Sequence, residues 1–210
     1  MKIGIIGAGN MGTGLGKYWV RNSHELMFSY SRDANKLREA ADSVGKGTRT
    51  GSPAEAAAFG DVVLLATPYG VAAAALRAAG SLDGKILFSC VNALKPDYSG
   101  MAVGTTTSGA EELAKLAPKA RFVDALPSFA KMLHSGSAKF GNDISSIFYC
   151  GDDAQAKNVV AELLRETGVE PVDVGPLRNA RYLEPAMMLL VQMSYQLGMG
   201  MVGFKLLRKT

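Results

Sequence analysis

The sequence is short of the residues that most acid–base and metal chemistry requires. It has two histidines and two cysteines in 210 residues. Cys90 and Cys150 are far apart, each in an apolar run, with no Cys-x-x-Cys pair and no clustered histidines. This excludes a zinc ribbon and a disulfide framework, and reads as buried free thiols in a reducing cytoplasm. No His-Glu-x-x-His, no Ser-His-Asp order and no prominent carboxylate pair occurs, so neither a metal site nor a catalytic side chain is assigned. A basic cluster is missing too. The formal charge is +4, and the densest grouping, residues 205–209, is too sparse for a nucleic-acid face. With 48% apolar and 20% charged residues the chain is not disordered. The first residues already read as a strand, so no signal or transit peptide is expected.

What is present is concentrated in residues 2–32. Lys2-Ile3-Gly4-Ile5-Ile6 is a short β-rich run. Gly7-Ala8-Gly9-Asn10-Met11-Gly12 follows, then a helical stretch over 10–21 and a second strand over 25–30 ending at Ser31-Arg32. Gly-x-Gly-x-x-Gly between a strand and a helix is a dinucleotide turn. Gly7 permits the bend, Gly9 admits the pyrophosphate, and Gly12 lets the helix pack close. The helix N-terminus then faces the phosphates. Where NAD-binding folds usually end the second strand with Asp or Glu, this chain has Ser31 and Arg32, with Lys36 a turn further on. A hydroxyl and two cations suit a 2′-phosphate, which points to NADP(H) rather than NAD. Asp33 is the counter-argument, since it could reach the ribose.

Further along, strands and helices alternate. Helices are expected over 35–44, 71–79, 108–116 and 153–167, with a capped one opening at Ser52-Pro53, where Glu55 completes a capping box. Strands are expected over 61–66, 85–91, 121–125, 144–150 and 170–174, and a weak one near Arg49. The expectation is a Rossmann-type, doubly wound α/β fold with a mostly parallel sheet. It forms a single domain over 1–210, of which 179–210 is a C-terminal helical segment. Residues 126–142 show no clear period and read as a long functional loop. The apolar, methionine-rich end is interrupted by Gln192, Ser194, Gln196 and Lys205. It reads as a helix buried all round, against its own domain and a second subunit, rather than as a membrane span.

Ligands of open α/β sheets lie beyond the carboxyl ends of the strands. Thr67, Pro68 and Tyr69 after one strand and Asn92 after the next should therefore border the nicotinamide ribose or the pyrophosphate. Asn92 is a candidate donor to ribose, and Tyr69 is either a cofactor contact or a packing residue. The cleft would be completed by Ala73 and by Ala130 in the long loop. His24 reads as structural, and His134 as either a substrate contact or a surface residue. Lys131 is the one tempting proton donor. The thin acid–base set suits direct hydride transfer, which needs positioning and dry walls more than a proton donor.

Several of these residues resemble the NADP oxidoreductases that depend on the deazaflavin coenzyme F420. The glycine turn with Asn10, the Ser31-Arg32 pair, Lys36 and the Ala66-Thr67-Pro68-Tyr69 strand end are similar to that family's NADP-binding elements. So are Cys150-Gly151-Asp152-Asp153, the run Gly175-Pro176-Leu177-Arg178-Asn179-Ala180-Arg181, and Gly198-Met199-Gly200. The resemblance implies a compact NADP-binding domain, commonly dimeric, that moves hydride between NADPH and the deazaflavin. It also implies that the loop after residue 125 helps to form the ring pocket. That loop, Pro127-Ser128-Phe129-Ala130-Lys131-Met132, matches loosely. The acceptor stays open between coenzyme F420 and a flavin, metal, imine or carbonyl, as does a non-catalytic NADP sensor. Arg178, Arg181 and Lys131 are candidates for an anionic tail on the acceptor, unless the arginines serve salt bridges around Glu184.

Overall fold

Residues 1–30, 33–126 and 130–209 are described by the computed structural model. In chain order the elements are β1 (Lys2–Ile6), α1 (Asn10–Arg21), β2 (Glu25–Ser29), α2 (Ala34–Val44), β3 (Arg49–Thr50), α3 (Pro53–Phe59), β4 (Val62–Leu65) and α4 (Tyr69–Ala79). Then come β5 (Ile86–Ser89), α5 (Gly109–Ala114), β6 (Arg121–Ala125), α6 (Ala130–Ser135), β7 (Lys139–Phe140), β8 (Asp143–Ile144), β9 (Ser146–Gly151), α7 (Ala154–Arg165) and β10 (Glu170–Asp173). A 3-10 turn (Leu177–Asn179) leads into α8 (Ala180–Val191), which a π turn (Gln192–Gln196) extends.

Among the described residues, eight strands form one sheet in the order β10-β9-β6-β5-β4-β1-β2-β3. The block from β3 to β6 is parallel and has the strand order of a dinucleotide-binding fold, with its switch point between β1 and β4. β9 then joins β6 antiparallel, with Asp124 level with Cys150, and β10 runs parallel to β9. β4 (Val-Val-Leu-Leu) is buried throughout, as a strand covered on both faces must be.

Period-two alternation along the strands divides the core. Ile3, Ile5, Phe28 and Phe88 pack with Leu15 and Trp19 of α1, Val44 of α2, Met132 of α6 and Leu163 of α7. Ile6, Val63, Leu65 and Leu87 pack with Leu76 of α4, Leu113 of α5 and Leu183 and Met187 of α8 on the other face. Burying each such side chain contributes roughly 1.5–3 kcal/mol before entropy is counted. Trp19 also donates its indole N–H to the Leu163 carbonyl at 3.0 Å, tying the first helix to the seventh. Local signals behave as their chemistry requires. Ser52 and Glu55 close a complete capping box on α3, with Pro53 in its first turn.

Two expectations need correction. Residues 126–142 are not one structureless loop, because α6 and a β7–β8 hairpin occupy much of the stretch. α6 is a single amphipathic turn and a half, too short to show a period, held by Met132 and Leu133 against α1. The C-terminal segment is helical from Leu177 to Gln196 but is not buried all round, and 197–209 is not helical. Leu183, Met187 and Leu190 face the core, whereas Tyr182, Leu189, Tyr195, Leu197 and Met199 are exposed. The chain then returns to the sheet, where Phe204 bridges to Ser146. No helix among the described residues is long and apolar enough to cross a membrane.

Candidate functional site

The glycine turn sits at the carboxyl end of β1, beside the switch point. Gly7 has φ +122°, and a Cβ there would run into the Ala66 carbonyl, so only glycine fits. A Cβ on Gly12 would strike the carbonyl oxygen of Gly7. Gly9 differs, since a Cβ there would meet nothing within 4 Å. Its lack of a side chain is not needed by the fold and leaves open space over the turn. Gly9 is the N-cap of α1, and no side chain among the described residues caps the helix end at Asn10 and Met11. Ala8 and Met11 are half-buried at the rim, and Asn10 is exposed. His134 of α6 makes a 2.9 Å hydrogen bond to the Asn10 carbonyl, docking α6 on this end of α1.

β2 ends at the same edge. Tyr30 follows it with φ +62°, its hydroxyl donating to the Val71 carbonyl at 3.4 Å. Ser31 and Arg32 lie outside the described residues. Asp33, the rival for a ribose hydroxyl, serves as the N-cap of α2 and accepts from the Asn35 N–H at 2.8 Å. Lys36 is exposed on the first turn of α2.

Thr67, Pro68 and Tyr69 occupy the exit of β4. Pro68 caps α4 and Tyr69 begins it, with Ala73 a turn further on and half-buried. Thr67 is buried, and its hydroxyl has no hydrogen-bond partner among the described residues. Asn92, beyond β5, is half-buried; its amide donates to the Glu184 carbonyl at 3.3 Å, while its Oδ1 is buried without a partner among the described residues. Ala130 opens α6, half-buried, and Lys131 is exposed beside it. Pro127, Ser128 and Phe129 lie outside the described residues.

Two carboxyl groups lie behind these strand ends, Glu184, which the sequence offers only as a salt-bridge partner, and Asp124, which sequence reasoning passed over. Glu184 of α8 is 1% exposed, and its carboxylate accepts from the Gly109 and Ala110 N–H groups at 2.9 and 2.8 Å. Burial raises its pKa, and the backbone N–H groups of Ala110, Gly109 and Ala93 oppose that rise. Asp124 of β6 is fully buried, and neither oxygen makes a well-formed hydrogen bond among the described residues. Burial and then the charge of Glu184 push its pKa well up, which Ser89, level with it on β5, offsets only weakly. Burial thus raises the pKa of both carboxyls, and they differ in their partners: Glu184 is held by backbone N–H groups, whereas Asp124 is not. An acidic residue inside the apolar runs 121–126 and 183–191 was the available signal.

Arg181 does not serve Glu184. It makes two hydrogen bonds, of 2.8 and 2.7 Å, to the Glu111 carboxylate, whose pKa falls mainly through that pairing. Arg178 and Lys131 are exposed. His24 is structural: its Nε2 lies 2.9 Å from Glu166, and its Nδ1 lies 3.1 Å from the terminal amine. Burial raises the pKa of both thiols, Cys90 and Cys150, so neither is an activated nucleophile. Among the described residues no group of His, Cys, Asp and Glu is placed to hold a metal.

Open glycine space, an uncapped helix end, and unpaired polar atoms at two adjacent strand exits together fit a dinucleotide laid across the switch point. Residues 2–93 match the model of the family described as NADP oxidoreductase, coenzyme F420-dependent. The chain resembles that family. A solved structure from Arthrobacter sp. FB24, of a candidate F420-dependent NADP reductase, is similar over 99% of this chain and 100% of its own, at 27% identity and a TM-score of 0.85. A hypothetical protein from Sinorhizobium meliloti is also 27% identical, with a TM-score of 0.72, covering 84% of this chain and 85% of its own. The metalloreductase STEAP3 of Rattus norvegicus is 27% identical over 183 residues, or 87% of this chain. The chain spans 36% of that relative's length.

Proposed function

We propose that the chain is an NADPH-dependent oxidoreductase that exchanges hydride between NADP(H) and a flat redox acceptor, the deazaflavin coenzyme F420. The observation that carries this reading is the glycine turn: its three glycines are kept where two are forced by sterics and the third leaves room for a ligand. The family match over residues 2–93 supports the cofactor and the reaction class.

The uncapped N-terminus of α1 would hold the pyrophosphate, and Ser31, Arg32 and Lys36 the 2′-phosphate. Thr67 and Asn92 would meet the nicotinamide riboside. Bound there, NADPH would supply the hydride. The protein's own part would be to orient the ring and to exclude water from it. No side chain is assigned a covalent role. The exposed apolar run Tyr182, Leu189, Tyr195, Leu197 and Met199 supports pairing with a second copy of the chain, and the protein would work in the cytoplasm.

The test is NADPH oxidation by purified protein with coenzyme F420, with a free flavin, with ferric iron and with no acceptor. Turnover with F420 alone is the expected result. One observation favours a second reading, reduction of an imine or carbonyl. Tyr69 opens α4 at the exit of β4, half-buried, which places a phenol O–H beside the candidate cofactor edge; burial, and then the nearby carboxylates Glu112 and Glu184, raise its pKa. Rapid turnover of a cyclic imine, lost in Tyr69→Phe, would replace the first reading with this one. Tight NADPH binding without turnover in any arm would identify a sensor.

A further inference from the structure

The polar atoms left unpaired at the strand exits define one end of the site more closely. Asn92 donates an amide N–H to the carbonyl oxygen of Glu184. A carbonyl accepts only from the NH2 side, which fixes the amide against flipping and sends Oδ1 the other way. That oxygen is out of reach of solvent and has no partner among the described residues. Leaving a buried acceptor unmade costs on the order of 1–3 kcal/mol, a cost that a ligand donor would remove. On the neighbouring strand exit, the Thr67 hydroxyl is in the same condition.

The group that holds Asn92 is itself held. Glu184 is fixed through its carboxylate to the Gly109 and Ala110 N–H groups at the start of α5. Its side chain is therefore tied to α5 while its main chain, in α8, grips Asn92. One residue of the C-terminal helix sets an amide that stands at the end of β5.

We propose that Asn92 Oδ1 is the acceptor that fixes the nicotinamide-riboside half of the cofactor, and that Glu184 is the positioning residue that aims it. The proposal rests on the NADP(H) reading above. It reverses the role expected of Asn92, from donor to acceptor. The donor it receives is an N–H of the carboxamide or an O–H of the nicotinamide ribose.

Fluorescence titration of the full chain with NADPH, and competition by adenosine 2′,5′-bisphosphate, separate the two halves of the ligand. Asn92→Ala is expected to weaken NADPH about tenfold and to leave the bisphosphate, which lacks the nicotinamide riboside, within twofold. Glu184→Gln, which keeps the size and one good acceptor oxygen, is expected to cost NADPH about threefold and the bisphosphate nothing. If Glu184→Gln fails to fold, Asn92→Ala alone decides. The 3-acetylpyridine analogue of NADPH lacks the carboxamide N–H. An Asn92→Ala effect that vanishes with the analogue identifies the carboxamide, and one that persists identifies the ribose; either supports the proposal. Equal losses for NADPH and the bisphosphate, or no loss for either, would overturn it. A wild-type chain that binds neither ligand would overturn the NADP(H) reading itself.

Discussion

The two ends of the candidate cleft are built in opposite ways. At the β1 end the surface is backbone: glycines 7, 9 and 12 and an uncapped helix terminus, with no side chain required to point anywhere. At the β5 end it is made of side chains, above all the Asn92 amide, whose setting depends on Glu184, nearly a hundred residues further along the chain. A backbone site is fixed by local sequence and tolerates little substitution. A side-chain site is fixed by tertiary packing and can be retuned without touching the fold.

The contrast can be broken most severely at Gly12. Gly12→Ala drives a methyl into the Gly7 carbonyl, and is expected to destabilise the protein by about 3 kcal/mol and to abolish NADPH binding. Thermal unfolding should show a fall on the order of 10 °C. Trp19→Phe removes the bond to Leu163 and some buried area. It should cost about 2 kcal/mol in urea unfolding while NADPH affinity per folded molecule stays unchanged, separating core from cleft. Gly9→Ala is the sharper probe of the backbone site. With nothing near the new methyl, melting should stay within a degree or two while NADPH affinity drops about tenfold, or about 1.4 kcal/mol. Equal NADPH affinity would mean that the space above Gly9 is not ligand space.

The smallest effect near neutral pH, and the one that grows with pH, concerns Asp124. Its folded pKa is raised, so the folded state binds a proton that the unfolded state has lost. Its contribution is complete below the ordinary aspartate pKa and drains away as pH rises toward the folded value. Asp124→Asn keeps the shape without the titration, so melting temperatures measured from pH 5 to 9 should fall less steeply for the variant. Parallel curves would show that Asp124 does not hold its proton.

The same contrast explains what could be read in advance. β1, the glycine turn, α1 and the capping box of α3 follow from local rules, because three glycines or a Ser-Pro-x-Glu run need no distant partner. β4 was legible from four consecutive apolar residues. α6 was not, since its six residues are helical only because Met132 and Leu133 find α1. Nor was the β5 end of the cleft. Asn92 was visible as a polar residue after a strand, but its orientation depends on Glu184, and the pairing of Arg181 with Glu111 rather than Glu184 is set by where α5 and α8 meet. The exposed face of α8 escaped notice because overall apolarity conceals which side is covered.

The antiparallel junction of β6 with β9 has a further consequence for how the chain is routed. Up to β6 each strand delivers the chain to the cofactor edge and each helix carries it away. After the reversal, β9 and β10 deliver it to the opposite edge. α8 therefore travels toward the cofactor edge instead of away from it, and Glu184 and the returning residues near Phe204 arrive there from behind. One change of strand direction turns the end of the chain from an outer cover into a wall of the cleft. Length added or removed between β10 and α8 would register at the cofactor edge, on the far side of the sheet from the change itself.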